Sequence, residues 1–330
     1  METIYTTNNP LYKGFFKNNE QIKIWYDNKY IYNSIWRGEP SDNSFCLKPA
    51  NCYRSAIPHI LIDRFDIKDP ERFRTKYLQA ISGDGQEWTR ITTLHSSSLI
   101  ALLCFYSISE NNPITIDEYV FTQSFFEVKT QVYGESESNM DVVLRGCDSH
   151  GQKVVLFLES KFSEYLICGS YNGISQKAYL DTYNDTLRII DNDAITAIKI
   201  SIKDDGISIE PREPRRNPVY CGGIKQMISH FMGVSNYAEK GKEALGEHSC
   251  FDADSSETIL LGEILFDFGD KVGGAKTKLD TYHKAYRDLQ GIINERQNKV
   301  KMIDALTYQD LFAQNKSVIK ETPTLALYML

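Results

Sequence analysis

Residues 139–166 read NMDVVLRGCDSHGQKVVLFLESKFSEYL, and two strands joined by a turn account for nearly all of them. The apolar run Val154, Val155, Leu156, Phe157, Leu158 suits a strand covered on both faces at the centre of a sheet. That run ends in charge. Successive side chains of a strand point to opposite faces, so Glu159 and Lys161 share one face and Ser160 takes the other. CDSHGQK reads as a turn, and MDVVLRG before it as a second strand with Asp141 at its start. Strands connected this closely run antiparallel, which brings Asp141, Glu159 and Lys161 towards one point. A carboxylate and an ammonium at the end of a buried strand are costly unless they pair or meet a metal. Spacing alone leaves two readings open: an ion pair at a wet strand end with Asp141 capping a turn, or a cation site.

Upstream, ITIDEYVFTQSFFEVKTQVYG is rich in Val, Phe, Tyr and Thr, and Phe125 to Val132 reads as the strand that opens a three-stranded meander. LIALLCFYSI is apolar all round, as in a helix buried in a core, with Ser96 or Ser97 as its N-cap. Asp69 and Pro70 introduce PERFRTKYLQAI, a helix with Phe73, Tyr77, Leu78 and Ile81 at helical spacing. SGDGQEW then breaks it and carries Glu87. Residues 1–75 are rich in Asn, Tyr and Lys and settle on neither period, so they read as an N-terminal extension packed on the core, with residues 76–330 as the main domain.

Downstream, Ala194 to Ile202 reads as a strand, and ISIEPREPRRNPVY as a loop because of its prolines. Its Arg212, Arg215 and Arg216, with the lysines near 271–278, could contact a nucleic-acid backbone. Ile224, Met227, Ile228 and Phe231 mark an amphipathic helix, on which Gln226 and His230 share a second line four residues apart. ETILLGEILFDFG is one more buried strand. LDTYHKAYRDLQGIINERQNKV is a long helix with Leu279, Tyr282, Tyr286, Leu289 and Ile293 inward.

Composition narrows the class. Among 330 residues, 42% are apolar and 25% charged, as expected of a globular α/β protein, and the net charge of −7 excludes an overall basic footprint. No basic, apolar leader opens the chain and no run approaches the ~18 apolar residues of a membrane span, so a cytoplasmic protein without a membrane is expected. Seven cysteines without a CxxC pair read as reduced structural thiols. GDKVGGAKT fails as a phosphate-binding loop because Ala275 separates the last glycine from the lysine, which disfavours a nucleotide hydrolase. Asp252, Asp254, Ser256 and Glu263 mimic a calcium loop, but Glu257 stands where glycine is needed. Nothing resembles a nucleophile elbow.

The string NMD, an apolar strand and then ESKFSEYL resembles the core of the PD-(D/E)xK nuclease superfamily, in particular a bacterial group of restriction-endonuclease-like proteins. SGDGQEW, HSSSLIALLCF, FFEV, KQMISHFMGV and ILLGEILFDF are similar to that group's other motifs in the same order, spanning roughly residues 77–268. Where the superfamily name has proline before the aspartate, this chain has Met140.

The resemblance implies an α/β, restriction-endonuclease-like core: a mixed central sheet flanked by helices. It implies a metal-dependent endonuclease hydrolysing DNA phosphodiester bonds in a bacterial restriction or defence setting. Asp141 and Glu159 would bind Mg²⁺, or Mn²⁺ in its place, joined by the Ser160 carbonyl, while Lys161 positions or activates the attacking water. An assisting glutamate comes from an earlier element, and Glu87 and Glu127 both match. Gln226 corresponds to a glutamine near such active sites, and Glu164 stands near Lys161 as a support or a solvent-facing residue. Many enzymes of the restriction type cut as dimers, so a homodimer is compatible. The alternative is a catalytically inactive nucleic-acid-binding protein of the same fold.

Overall fold

The structure is a computed structural model that describes residues 57–82, 91, 96–133, 136–162, 198–203, 206–211, 219–246, 251, 257–269, 275–296, 299–323 and 325. β4, Lys153–Lys161, lies inside the main sheet, and every residue from Val154 to Lys161 is buried. Burial on both faces is what its unbroken apolar run requires. β3, Ser136–Cys147, pairs antiparallel on one side of it, and β2, Tyr119–Tyr133, pairs antiparallel with β3. On the other side β7, Thr258–Leu265, runs parallel to β4.

The short strands β8, Val300–Met302, and β9, Leu306–Thr307, both pair with β7. β1, Ile114–Ile116, pairs with the start of β2. Among the described residues these seven strands form one mixed sheet.

Helices cover both faces. α1, Ile57–Phe65, α2, Pro70–Ala80, and α3, Ser97–Phe105, belong to one side, where Ser124 Oγ of β2 donates to the Phe105 carbonyl at 2.7 Å. Asp69 caps α2 by accepting from Arg72 N, and Ser96 caps α3 by accepting from Leu99 N. The other side carries α4, Val219–Lys240, which packs against β2, β3 and β7, and α5, Ala275–Arg296, which packs against α4 and β8. Met227, Ile228 and Phe231 of α4 are buried, as are Leu279, Tyr282, Tyr286, Leu289 and Ile293 of α5. α6, Tyr308–Gln314, and α7, Lys316–Glu321, follow, and α7 packs against α3.

Gly233 decides how closely α4 can sit. A Cβ there would lie 2.2 Å from Thr130 Oγ1 of β2, so only glycine lets the helix approach this near.

Several expectations are corrected in detail. The long strand begins at Tyr119 rather than Phe125, because the β1 pairing extends it towards the sheet edge. Part of the expected loop 207–220 is a strand: β6, Gly206–Pro211, pairs antiparallel with β5, Ile198–Lys203. Pro211 is its last residue, and proline is tolerated at a strand end, while Val219 already starts α4. Position 75 falls within α2, and Ile57, Leu61, Phe65 and Phe73 join the core that includes the sheet. Residues 1–56 lie outside the described residues. Among the described residues, no helix is long and apolar enough to cross a membrane.

Candidate active site

The pairing of β3 with β4 runs from Cys147↔Lys153 to Val142↔Leu158 and stops there. One residue further, Asp141 faces Glu159 across strands that part. The Ser160 N–H is taken by the Asp141 carboxylate, Oδ2, at 2.8 Å. N–H and C=O of a strand residue leave on the same side, so the Ser160 carbonyl also faces this opening. Its hydroxyl points to the opposite face, within 3.0 Å of the Ser97 carbonyl and 2.6 Å of Tyr308 Oη.

Two further carboxylates extend the row. Glu127 lies on β2 between the pairs Phe126↔Val142 and Val128↔Met140, level with Asp141. Its φ of 50° is left-handed, a strained conformation for a non-glycine residue in a strand. On the far side Glu263 of β7 pairs in register with Glu159. It is fully buried and accepts from Tyr282 Oη at 2.5 Å. Four adjacent strands thus each present one glutamate or aspartate at the same level.

α4 closes the arrangement. Lys161 Nζ pairs with Glu159 Oε1 and donates to Gln226 Oε1 at 2.8 Å. One turn along, His230 Nε2 stands 3.0 Å from Glu159 Oε2, close but without hydrogen-bond geometry. His230 Nδ1 is 2.5 Å from Ser138 Oγ of β3. Glu159, Lys161 and His230 are almost completely buried, whereas Gln226 sits at the exposed rim.

These neighbours pull the two central acids apart. Burial raises the Asp141 carboxyl well above its ordinary value, and the charges of Glu159 and Glu127 add to this; Lys161 and the Ser160 N–H oppose it without winning. Burial also acts to raise Glu159, but the Lys161 ammonium, its hydrogen bond and the neighbouring His230 outweigh it and bring the group from 4.5 to about 2. One carboxylate is therefore fully compensated and the other is short of positive charge.

Among the described residues, no three His, Cys, Asp or Glu side chains form a ready cluster for a metal ion. The donor chemistry at the opening still suits a hard cation: oxygen ligands from Asp141 and Glu159, a strand carbonyl edge, and a surplus of negative charge that burial makes costly. Mg²⁺ keeps several waters and needs few protein ligands. No family model, curated protein or solved structure matches this chain.

Of the residues singled out in the sequence, Asp141, Glu159, Ser160, Lys161, Gln226 and Glu127 are thus neighbours, and His230 joins them. Glu87 and Glu164 lie outside the described residues, as do Arg212, Arg215, Arg216 and Lys271. Lys276 is exposed near the start of α5. The sequence reading missed Glu263, which appeared there only in a discarded calcium pattern, and Ser138. Glu263 follows Glu159 by over a hundred residues, and only the parallel register of β7 sets it beside the site.

Proposed function

We propose that this chain is a metal-dependent endonuclease of the PD-(D/E)xK type, with a restriction-endonuclease-like core, that hydrolyses DNA phosphodiester bonds. One observation carries the reading: Asp141 and Glu159 face each other where β3 and β4 part, with Lys161 beside them and Glu127 level with them. Nothing in a purely binding role gives that trio a task, which disfavours the catalytically inactive alternative. DNA as substrate, the bacterial restriction or defence setting, a cytoplasmic location and a homodimer that cuts both strands rest on the sequence resemblance.

Asp141, Glu159 and the Ser160 carbonyl would hold Mg²⁺, with Mn²⁺ as a substitute. When bound, the ion neutralises charge on the phosphate and makes phosphorus easier to attack. Lys161, steadied by Gln226, positions the attacking water opposite the bond to the leaving sugar oxygen. Its ammonium pairs with Glu159 here, and an ion sharing that carboxylate would leave Lys161 to hold the water. Glu127, from the neighbouring strand, adds a further oxygen donor towards the same opening and is the assisting glutamate in this reading.

Plasmid nicking tests the proposal. Wild-type protein with Mg²⁺ or Mn²⁺ is expected to relax supercoiled DNA and to stop in EDTA. Lys161→Ala should lose on the order of 10²–10⁴ in rate. Equal nicking by wild type and Lys161→Ala would overturn the reading.

A further inference from the structure

We infer that Ser138 and His230 are positioning residues that set the orientation of Glu159, and through it the affinity of the site for a divalent cation. The inference rests on the metal-site reading above and concerns two residues which that reading does not use.

The geometry is specific. Ser138 belongs to β3, Glu159 to β4, and His230 to α4, so the imidazole bridges the two strands where they part. Its Nδ1 is 2.5 Å from Ser138 Oγ and its Nε2 is 3.0 Å from Glu159 Oε2. All three side chains are buried, with 6%, 4% and 4% exposure, so water competes little for these contacts. A serine hydroxyl that donates to Nδ1 leaves the ring proton on Nε2, the nitrogen beside the Glu159 carboxylate. Lys161 takes the other oxygen, Oε1.

The consequence is a division of labour between the two carboxylate oxygens. A cation held by Glu159 would compete with Lys161, and the contact at Oε2 would keep the carboxylate plane from rotating away. Such supporting contacts to metal ligands commonly contribute 10- to 100-fold in metal affinity. Their geometry also depends on α4 lying close to the sheet. Gly233, three residues after His230, permits that approach against Thr130, the register partner of Ser138.

The alternative is that a buried histidine with two polar neighbours merely satisfies its own ring. The two readings differ in what Ser138→Ala does, because that change leaves both His230 and Glu159 in place. The experiment uses the full chain. Mn²⁺ affinity is measured by calorimetry for wild type, Ser138→Ala, Ser138→Thr and His230→Gln, with circular dichroism melts in EDTA as a folding control. In parallel, ¹⁵N spectra of the metal-free protein report which ring nitrogen of His230 carries the proton.

Ser138→Ala should bind Mn²⁺ about 10-fold more weakly while remaining folded, and Ser138→Thr, which keeps the hydroxyl, should recover most of the loss. His230→Gln, whose side chain no longer bridges Ser138 and Glu159, should also bind Mn²⁺ more weakly than wild type. In wild type the ring proton should sit on Nε2, and in Ser138→Ala that preference should weaken. Unchanged Mn²⁺ affinity in Ser138→Ala, in a wild type that does bind Mn²⁺, would overturn the positioning role alone. A wild type that binds no Mn²⁺ would instead defeat the metal-site reading and the inference with it. An unaltered ring tautomer in Ser138→Ala would overturn the inference whether or not metal binds.

Discussion

Asp141→Asn should stabilise the metal-free protein and at the same time abolish its response to metal. In the fold Asp141 is partly buried, level with Glu127 and across from Glu159, and its carboxyl is raised well above the ordinary 3.8. A carboxyl whose folded pKa exceeds its unfolded one costs nothing below the unfolded value and weakens the fold as pH rises through the folded value. At pH 8 in EDTA, well above the unfolded value, the wild type is therefore weakened by this group. Asparagine removes the charge but keeps an oxygen that can accept from Ser160 N, the 2.8 Å contact in the wild type. Relief of one unfavourable charge is worth about 1 kcal/mol, or roughly 2 °C in a chain of this size. Metal reverses the ranking. Mn²⁺ at 100 times its Kd should stabilise wild type by about 2.7 kcal/mol, roughly 5 °C, and leave the variant unmoved. Differential scanning fluorimetry at pH 4, 6 and 8, with EDTA or Mn²⁺, reads both effects. The difference between variant and wild type in EDTA should shrink towards pH 4. A variant that is less stable than wild type at pH 8 in EDTA, or that gains equally from Mn²⁺, would refute the reasoning.

Glu159 should behave in the opposite sense: held at about 2 in the fold, it supports stability above its ordinary value of 4.5, and that support fades as pH falls towards 2. Glu159→Gln strands the buried Lys161 charge, so urea melts should show a loss of about 3 kcal/mol at pH 7 that narrows at pH 3. Gly233→Ala gains about 1 kcal/mol of helix propensity but drives a methyl into Thr130, an overlap costing about 1–3 kcal/mol. A net loss in chemical denaturation that the added change Thr130→Ala, which removes the clashing Oγ1, relieves would fit, and a net gain would show that α4 has room to move. At Glu127 the left-handed backbone predicts that Glu127→Gly is more stable than Glu127→Ala by about 1 kcal/mol, measured by thermal melts, with plasmid nicking lost in both.

The core strand illustrates what was readable before any tertiary information. An apolar run such as Val154–Leu158 is stable only between two covered faces, so the central position of β4 follows from local chemistry. The short turn at Asp148–Gln152 forces β3 back antiparallel, which fixes Asp141 near Glu159 within a residue or two. α5 was equally legible, because each of its five inward positions falls on one helical stripe. Pro211, Pro214 and Pro218 mask the alternating Ile207 and Ile209 of β6 in the sequence, although only Pro211 belongs to the strand and it comes last.

What residue order determines in this protein is the local part: which segments are strands and helices, and that one carboxylate pair and one lysine meet at a strand end. The choice of partners for that trio belongs to the tertiary structure. Glu263 reaches the row through a parallel crossover, and Gln226, His230 and Ser138 through the docking of α4 over parted strands. Their charges act over a few ångströms in space, whereas periodicity reports only on neighbours along the chain. Spacing in the sequence could therefore bring Asp141 and Glu159 together, but only the packed fold could leave Glu159 compensated and Asp141 short of positive charge.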